Sequence, residues 1–261
     1  MGSRVVVIIP ARYESTRLPG KPLADLHGRP MIQHVYERAL RARGVDRVLV
    51  ATDSEQIRAA VHGFGGDVVL TGAHRTGTDR IAEAAASIDA ELVVNVQGDL
   101  PLLDPALVEA ALAPLRADSS VPMGTIKTAI HARGELDNPN VVKVVTDVDD
   151  YALYFSRSPL PYHRDGARDG AALGYKHIGL YVYRRDFLLA FARLDPTPLE
   201  QAEQLEQLRA LERGYRIKVA EVDAASVEVD TAADLERARA ALATTSNDHE
   251  LTTAGRRRRV G

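Results

Sequence analysis

Short apolar runs alternate with longer stretches of helical period along most of the chain, and this alternation constrains the fold more than any other feature. Val5-Val6-Val7-Ile8-Ile9, Val48-Leu49-Val50-Ala51, Val68-Val69-Leu70 and Leu92-Val93-Val94-Asn95-Val96 are nearly continuous apolar segments. Such segments suit strands buried on both faces of a sheet. Between them, residues 30–43, 55–62 and 78–87 carry helical spacing, with Met31, Ile32, His34, Val35 and Leu40 forming a stripe in the first. Asp53 or Ser54 suits the cap of the second helix, Gly63, Gly65 and Gly66 suit its stop, and Pro105 suits the first turn of another. The alternation predicts an α/β fold, a doubly wound and mostly parallel sheet covered by helices.

After about residue 120 the texture changes. Runs of β character at 123–130, 141–145, 151–155 and 175–183 predict extra strands or a smaller β-rich lobe spanning about 120–185. Helical period returns at 199–213, a strand is expected at 216–222, and a last helix over 231–242 has Asp230 or Thr231 near its cap. One domain is thus expected over residues 1–243. Residues 244–261 are polar, end in four consecutive arginines at 256–259, and read as a disordered Arg-rich tail.

Composition excludes several function classes. With 45% hydrophobic residues the chain buries a core, and a net charge of −3 gives no global attraction to nucleic acid or to an anionic membrane. No apolar run reaches the ~18 residues of a membrane span, and the first strand is too short for a signal-peptide core. The absence of cysteine excludes disulfides, thiolate metal sites and thiol nucleophiles. A cytoplasmic protein is the expectation.

The loop after the first strand, Pro10-Ala11-Arg12-Tyr13-Glu14-Ser15-Thr16-Arg17-Leu18-Pro19-Gly20-Lys21-Pro22, lies where open α/β sheets bind ligands. Arg12, Arg17 and Lys21 supply cations for a polyphosphate, although an ordinary basic surface loop has the same composition. The Walker A spacing is absent, since Lys21 is followed by Pro22.

This loop resembles the signature of the CMP-Kdo synthetases, the 3-deoxy-manno-octulosonate cytidylyltransferases. The likeness continues in order through Val50-Ala51-Thr52-Asp53, His74-Arg75-Thr76-Gly77-Thr78-Asp79-Arg80, Val94-Asn95-Val96-Gln97-Gly98-Asp99 and Asn138-Pro139-Asn140-Val141-Val142-Lys143-Val144. It extends through Tyr154-Phe155-Ser156-Arg157, His177-Ile178-Gly179-Leu180-Tyr181, Leu205-Glu206-Gln207-Leu208-Arg209 and Val229-Asp230-Thr231. The resemblance implies a three-layer α/β/α nucleotidyltransferase fold and a homodimer. It also implies Mg²⁺-dependent transfer of CMP from CTP to a small acidic acceptor, with no nucleic acid or membrane partner.

The resemblance places CTP against Pro10, Ala11, Arg12, Arg17, Lys21, Arg80 and Gln97, with the last two and the Ala11 backbone on cytosine. Lys21, Arg12 and Asp99 become the catalytic set. Asp99 and Asp230 become the metal pair, a donor set that suits Mg²⁺; Asp99 also suits a turn after Gly98, and Asp230 a helix cap. Arg157, Arg164, His177, Tyr181, Glu206 and Gln207 fall where the family binds its acidic sugar. Glu206 and Gln207 equally suit the exposed face of a glutamate- and glutamine-rich helix, and a lone His177 in a strand equally suits a structural role.

The chain departs from the family pattern at Leu100, where an acidic residue follows the aspartate, around Asp230, and at Tyr162, where Trp is common. Relatives that cytidylylate small phosphonates such as phosphonoformate offer an alternative acceptor. A GT-A-like glycosyltransferase and a catalytically silent nucleotide-binding protein are the readings from other classes.

Overall fold

Every residue of the first strand, β1 (Val5–Ala11), is buried, because parallel strands flank it on both sides and helices cover both its faces. The computed structural model describes residues 4–14, 18–166, 170–223, 229 and 231–243. After β1 the elements are β2 (Asp25–Leu26), β3 (Arg29–Pro30), α1 (Met31–Ala39), β4 (Arg47–Thr52), α2 (Glu55–Gly63), β5 (Val68–Leu70), α3 (Gly77–Ala86), β6 (Leu92–Asn95) and α4 (Pro105–Ala117). Then come β7 (Met123–Ile130), α5 (Arg133–Asp137), β8 (Lys143–Thr146), β9 (Ala152–Ser156), β10 (Gly174–Arg184), α6 (Arg185–Phe191), α7 (Pro198–Glu203), α8 (Gln207–Glu212) and β11 (Ile217–Glu221). A last helix covers 232–243.

The sheet runs in the order β11-β7-β10-β6-β1-β4-β5. Pairing is parallel throughout except around β10, which runs antiparallel to β6 and β7. Alternation of side chains along β1 builds two cores: Val5, Val7 and Ile9 meet α1, α2 and α4, while Val6 and Ile8 face the layer of α3, α6 and α8. This is the expected three-layer α/β arrangement with a mostly parallel sheet. Of the β runs after residue 120, β7 and β10 lie in the main sheet, and β8 and β9 extend from it as an antiparallel arm. No helix among the described residues is long and apolar enough to cross a membrane.

Two local expectations are corrected. The helix expected at 199–213 is two helices, because Gln204 adopts a left-handed conformation at φ 53° and ends α7. The first helix stops at Ala39 rather than 43, ahead of a turn that closes at Gly44 with φ 78°. The β2–β3 hairpin and the helices α5 and α6 have no counterpart in the sequence reading; His27 and Gly28, both at positive φ, make the hairpin turn. Residues 244–261, expected as a tail, lie outside the described residues.

Candidate active site

β1 and β6 run side by side, with Ile8 opposite Asn95, so the segments leaving their carboxyl ends meet. Pro10, Ala11 and Arg12 on one side and Gln97, Gly98 and Asp99 on the other line a cleft of about 410 Å³. Glycine at position 98 has a steric reason: a Cβ there would lie 3.1 Å from the Pro10 carbonyl oxygen. Farther along the loop, Gly20 at φ 70° turns the chain and donates its N–H to the Tyr13 carbonyl at 3.0 Å, bringing Lys21 into the cleft.

Lys21 ties three segments together. Its Nζ donates to Asp99 Oδ2 at 2.7 Å and to the Val229 carbonyl at 2.9 Å. Val229 in turn donates its N–H to the Asp99 carbonyl at 3.0 Å. Val229 immediately precedes Asp230, which itself lies outside the described residues, as does Arg17. Arg12 is exposed at the cleft. Asp99 Oδ1 has no partner among the described residues, and its side chain is 25% exposed, so the carboxylate is open to a further ligand.

The opposite wall comes from α3 and the segment before it. Thr76 caps α3 by accepting the Asp79 N–H at 3.1 Å, and His74, Arg75, Thr76 and Gly77 line the cleft with Arg80. Arg80 is buried, with Nη1 donating to Thr71 Oγ1 at 2.6 Å and Nη2 to Asp53 Oδ2 at 2.8 Å. Gln97 donates to Asn95 Oδ1 at 3.3 Å, and its own carbonyl oxygen has no partner among the described residues. His74 is held by Glu83, whose carboxyl that hydrogen bond keeps below the usual range. Within the block from His74 to Arg80 the resemblance assigns a role to Arg80 alone; position in a loop before a capped helix is the signal that points to the others.

The remaining candidates lie outside this cleft. A second cavity of about 570 Å³ shares Arg75 and Thr76 with the first and is lined by Glu206. Glu206 accepts the Thr78 hydroxyl at 2.6 Å and pairs with Arg209 at 3.3 Å, while burial pushes its carboxyl above the usual range. Gln207 is 5% exposed, and its Nε2 has no hydrogen-bond partner among the described residues. Neither residue is on an exposed helix face, which corrects that alternative.

His177 sits on β10 beside the bulge between Ile178 and Tyr181. Thr125 Oγ1 lies 2.8 Å from the Leu180 carbonyl and 2.9 Å from His177 Nε2. The single hydroxyl proton goes to the carbonyl, so the imidazole donates at Nε2 and keeps Nδ1 as an acceptor. Burial pushes the imidazole down to about 3, and Phe155 and Tyr181 pack on its ring at 5.1 and 5.2 Å. Arg157 is engaged with backbone, donating from Nε to the Glu203 carbonyl at 2.7 Å and from Nη1 to that of Pro139 at 3.0 Å. Arg164 is exposed in the loop before β10. His177, Tyr181, Gln207, Arg157 and Arg164 line neither cavity, whereas Pro10, Ala11, Arg12, Lys21, Arg80, Gln97 and Asp99 share the first.

A cleft at the carboxyl ends of parallel strands, lined with cations and one open carboxylate, marks an α/β protein of the nucleotide-binding class. The cytidylyltransferase family model matches residues 6–217, and the chain belongs to that family. It is 58% identical over 243 residues to a 3-deoxy-manno-octulosonate cytidylyltransferase of Geotalea uraniireducens, covering 90% of this chain and 97% of the relative. It is 57% identical to the protein of that description from Geobacter sulfurreducens, over 89% and 97% of the two chains. Among solved structures, a CMP:2-keto-3-deoxy-manno-octonic acid synthetase complexed with CTP superposes with a TM-score of 0.88 at 47% identity, covering 93% of this chain and all of that one. A 4-diphosphocytidyl-2C-methyl-D-erythritol synthase from Anaerococcus prevotii, at 17% identity and a TM-score of 0.59, shares the fold.

Proposed function

We propose that the protein transfers CMP from CTP to 3-deoxy-manno-octulosonate and releases pyrophosphate. The observation that carries this is the junction of Lys21, Asp99 and Val229 at the carboxyl ends of β1 and β6, with Arg80 and Gln97 on the facing wall. An acceptor hydroxyl oxygen forms a bond to the α-phosphorus, the bond from that phosphorus to the bridging oxygen breaks, and the hydroxyl proton leaves. Nothing in this exchange needs a covalent enzyme intermediate, so the protein positions the reactants and neutralises charge.

Arg12, Arg17 and Lys21 supply cations to the triphosphate. Arg80, Gln97 and the backbone of Ala11 read cytosine, for which the guanidinium supplies donors and the free Gln97 carbonyl supplies an acceptor. Asp99 and Asp230 would hold Mg²⁺. The fit is chemical: the described residues hold no cluster of three or more metal-ligating side chains, and Mg²⁺ takes one or two carboxylates together with phosphate oxygens and water. Asp99 Oδ1 is open to such an ion. When bound, the ion supplies neutralisation of phosphate oxygens and of the leaving pyrophosphate.

On the acceptor side, the Gln207 amide, whose Nε2 has no partner among the described residues, would meet a hydroxyl of the acceptor. His177 joins it as a neutral group. Glu206, Tyr181, Arg157 and Arg164 complete the set, the arginines supplying positive charge for the acceptor's carboxylate. Leu100 is buried in the core and lines neither cavity.

The test is pyrophosphate release from CTP with Mg²⁺, run with 3-deoxy-manno-octulosonate and with phosphonoformate, and with ATP, GTP and UTP in place of CTP. Release that requires CTP and the sugar acid is expected. Preference for the phosphonate contradicts the proposed acceptor.

A further inference from the structure

Asp53 follows β4 directly, and in sequence it competes with Ser54 to cap α2. The structure resolves the competition: Ser54 Oγ accepts the Ile57 N–H at 3.4 Å, and the Asp53 carboxylate turns instead to Arg80 Nη2 at 2.8 Å. Asp53 is the one carboxylate paired with this buried guanidinium among the described residues. Nη1 is used by Thr71 Oγ1 at 2.6 Å and the Gly72 carbonyl at 3.4 Å. The hydrogen on Nε and one on Nη2 have no acceptor among the described residues, on a side chain that lines the cleft with Gln97.

Those two donors suit one pyrimidine over the other. Cytosine presents adjacent acceptors at O2 and N3, whereas uracil presents an acceptor at O2 and a donor at N3. A guanidinium fixed with two free donors matches cytosine and opposes an N–H of uracil, leaving a buried donor unpaired. We propose that Asp53 is the positioning residue that sets preference for CTP over UTP, holding the Arg80 fork in one orientation and neutralising its buried charge. This deepens the cytidylyl-transfer reading, in which Arg80 reads the base, and rests on it.

The test compares wild type with Asp53→Ala, Asp53→Asn and Arg80→Ala. Dissociation constants for CTP and UTP are measured by calorimetry, and kcat and KM by pyrophosphate release. In Asp53→Ala, CTP binding weakens about tenfold or more while UTP binding changes little, so the CTP to UTP preference shrinks about tenfold. KM for CTP rises in step, and kcat at saturation stays within about threefold. Asp53→Asn, which keeps an acceptor oxygen without the charge, falls between and carries the comparison if the alanine variant does not fold. Preference retained in both Asp53 variants but lost in Arg80→Ala overturns the positioning role alone. Preference retained in Arg80→Ala overturns the base reading and the proposal with it. A fall in kcat with unchanged affinity and preference also overturns the proposal.

Discussion

Lys21 and Asp99, 2.7 Å apart and both partly exposed, are the pair on which the proposed chemistry turns. Asp99→Ala and Asp230→Ala remove the carboxylates that would hold the metal, and Lys21→Ala removes a phosphate cation. Each is expected to lower kcat/KM for CTP by about 10²-fold or more, the scale of a lost transition-state charge contact, with a circular dichroism spectrum like wild type. Near-normal kcat/KM in any of the three removes that residue from the machinery. His177 makes a separate prediction through pH. Its folded-state pKa is about 3 against about 6.5 unfolded, so below pH 6.5 the unfolded chain binds a proton that the folded chain does not. Stability from this residue is therefore present above pH 6.5 and falls as pH drops toward 3. At pH 5 the loss is about 2 kcal/mol, and it depends on the unfolded value alone while the folded pKa stays well below 5. Urea unfolding at pH 8 and pH 5 should show wild type losing about that much more than His177→Gln; equal losses would mean that the imidazole titrates freely.

At the scale of elements, α2 separates capping from positioning. Ser54→Ala is expected to cost about 1 kcal/mol of stability and to leave CTP affinity unchanged, because Ser54 serves only the helix N-terminus. Thermal unfolding together with a CTP titration checks both halves, and a change in affinity would mean that the cap also holds Asp53 in place. The cap shows what sequence reading reaches and where it stops. β1 and β6 were legible because continuous burial demands continuous apolar residues, and the loop after β1 was legible as a candidate site because a cationic segment follows a strand. Two good capping residues in succession are ambiguous until one finds a partner 27 residues away. The break between α7 and α8 was hidden because a glutamine, not a glycine, occupies the left-handed position at Gln204. α6 was hidden as well: Phe187, Leu188 and Phe191 follow β10 without an intervening turn residue to mark a new element. Glu206 and Gln207 looked like a solvated face in a glutamine-rich segment, and only the packing of α8 against the sheet shows them buried or partly buried.

For the whole molecule, the layered sheet places the cleft at its centre and carries β8 and β9 beyond its edge. Residues 1–243 are proposed as one catalytic domain, with the segment at 120–185 serving the acceptor and a second copy of the chain. Val148, Leu153 and Tyr162, 101%, 62% and 88% exposed on and beside this arm, are the apolar side chains assigned to that contact. Sedimentation is expected to give the mass of a dimer for wild type and of a monomer for the double variant Leu153→Asp, Tyr162→Asp. An unchanged dimer would move the contact elsewhere, and a monomeric wild type would remove it.

Phosphorus NMR of the wild-type reaction follows the joining of CMP to the sugar acid proposed for the cleft between β1 and β6. With CTP, Mg²⁺ and 3-deoxy-manno-octulosonate, the expected result is a new phosphodiester resonance growing in step with pyrophosphate, both absent for Asp99→Ala. Pyrophosphate accompanied by free CMP, with no phosphodiester, or formation of the product by Asp99→Ala, would contradict it.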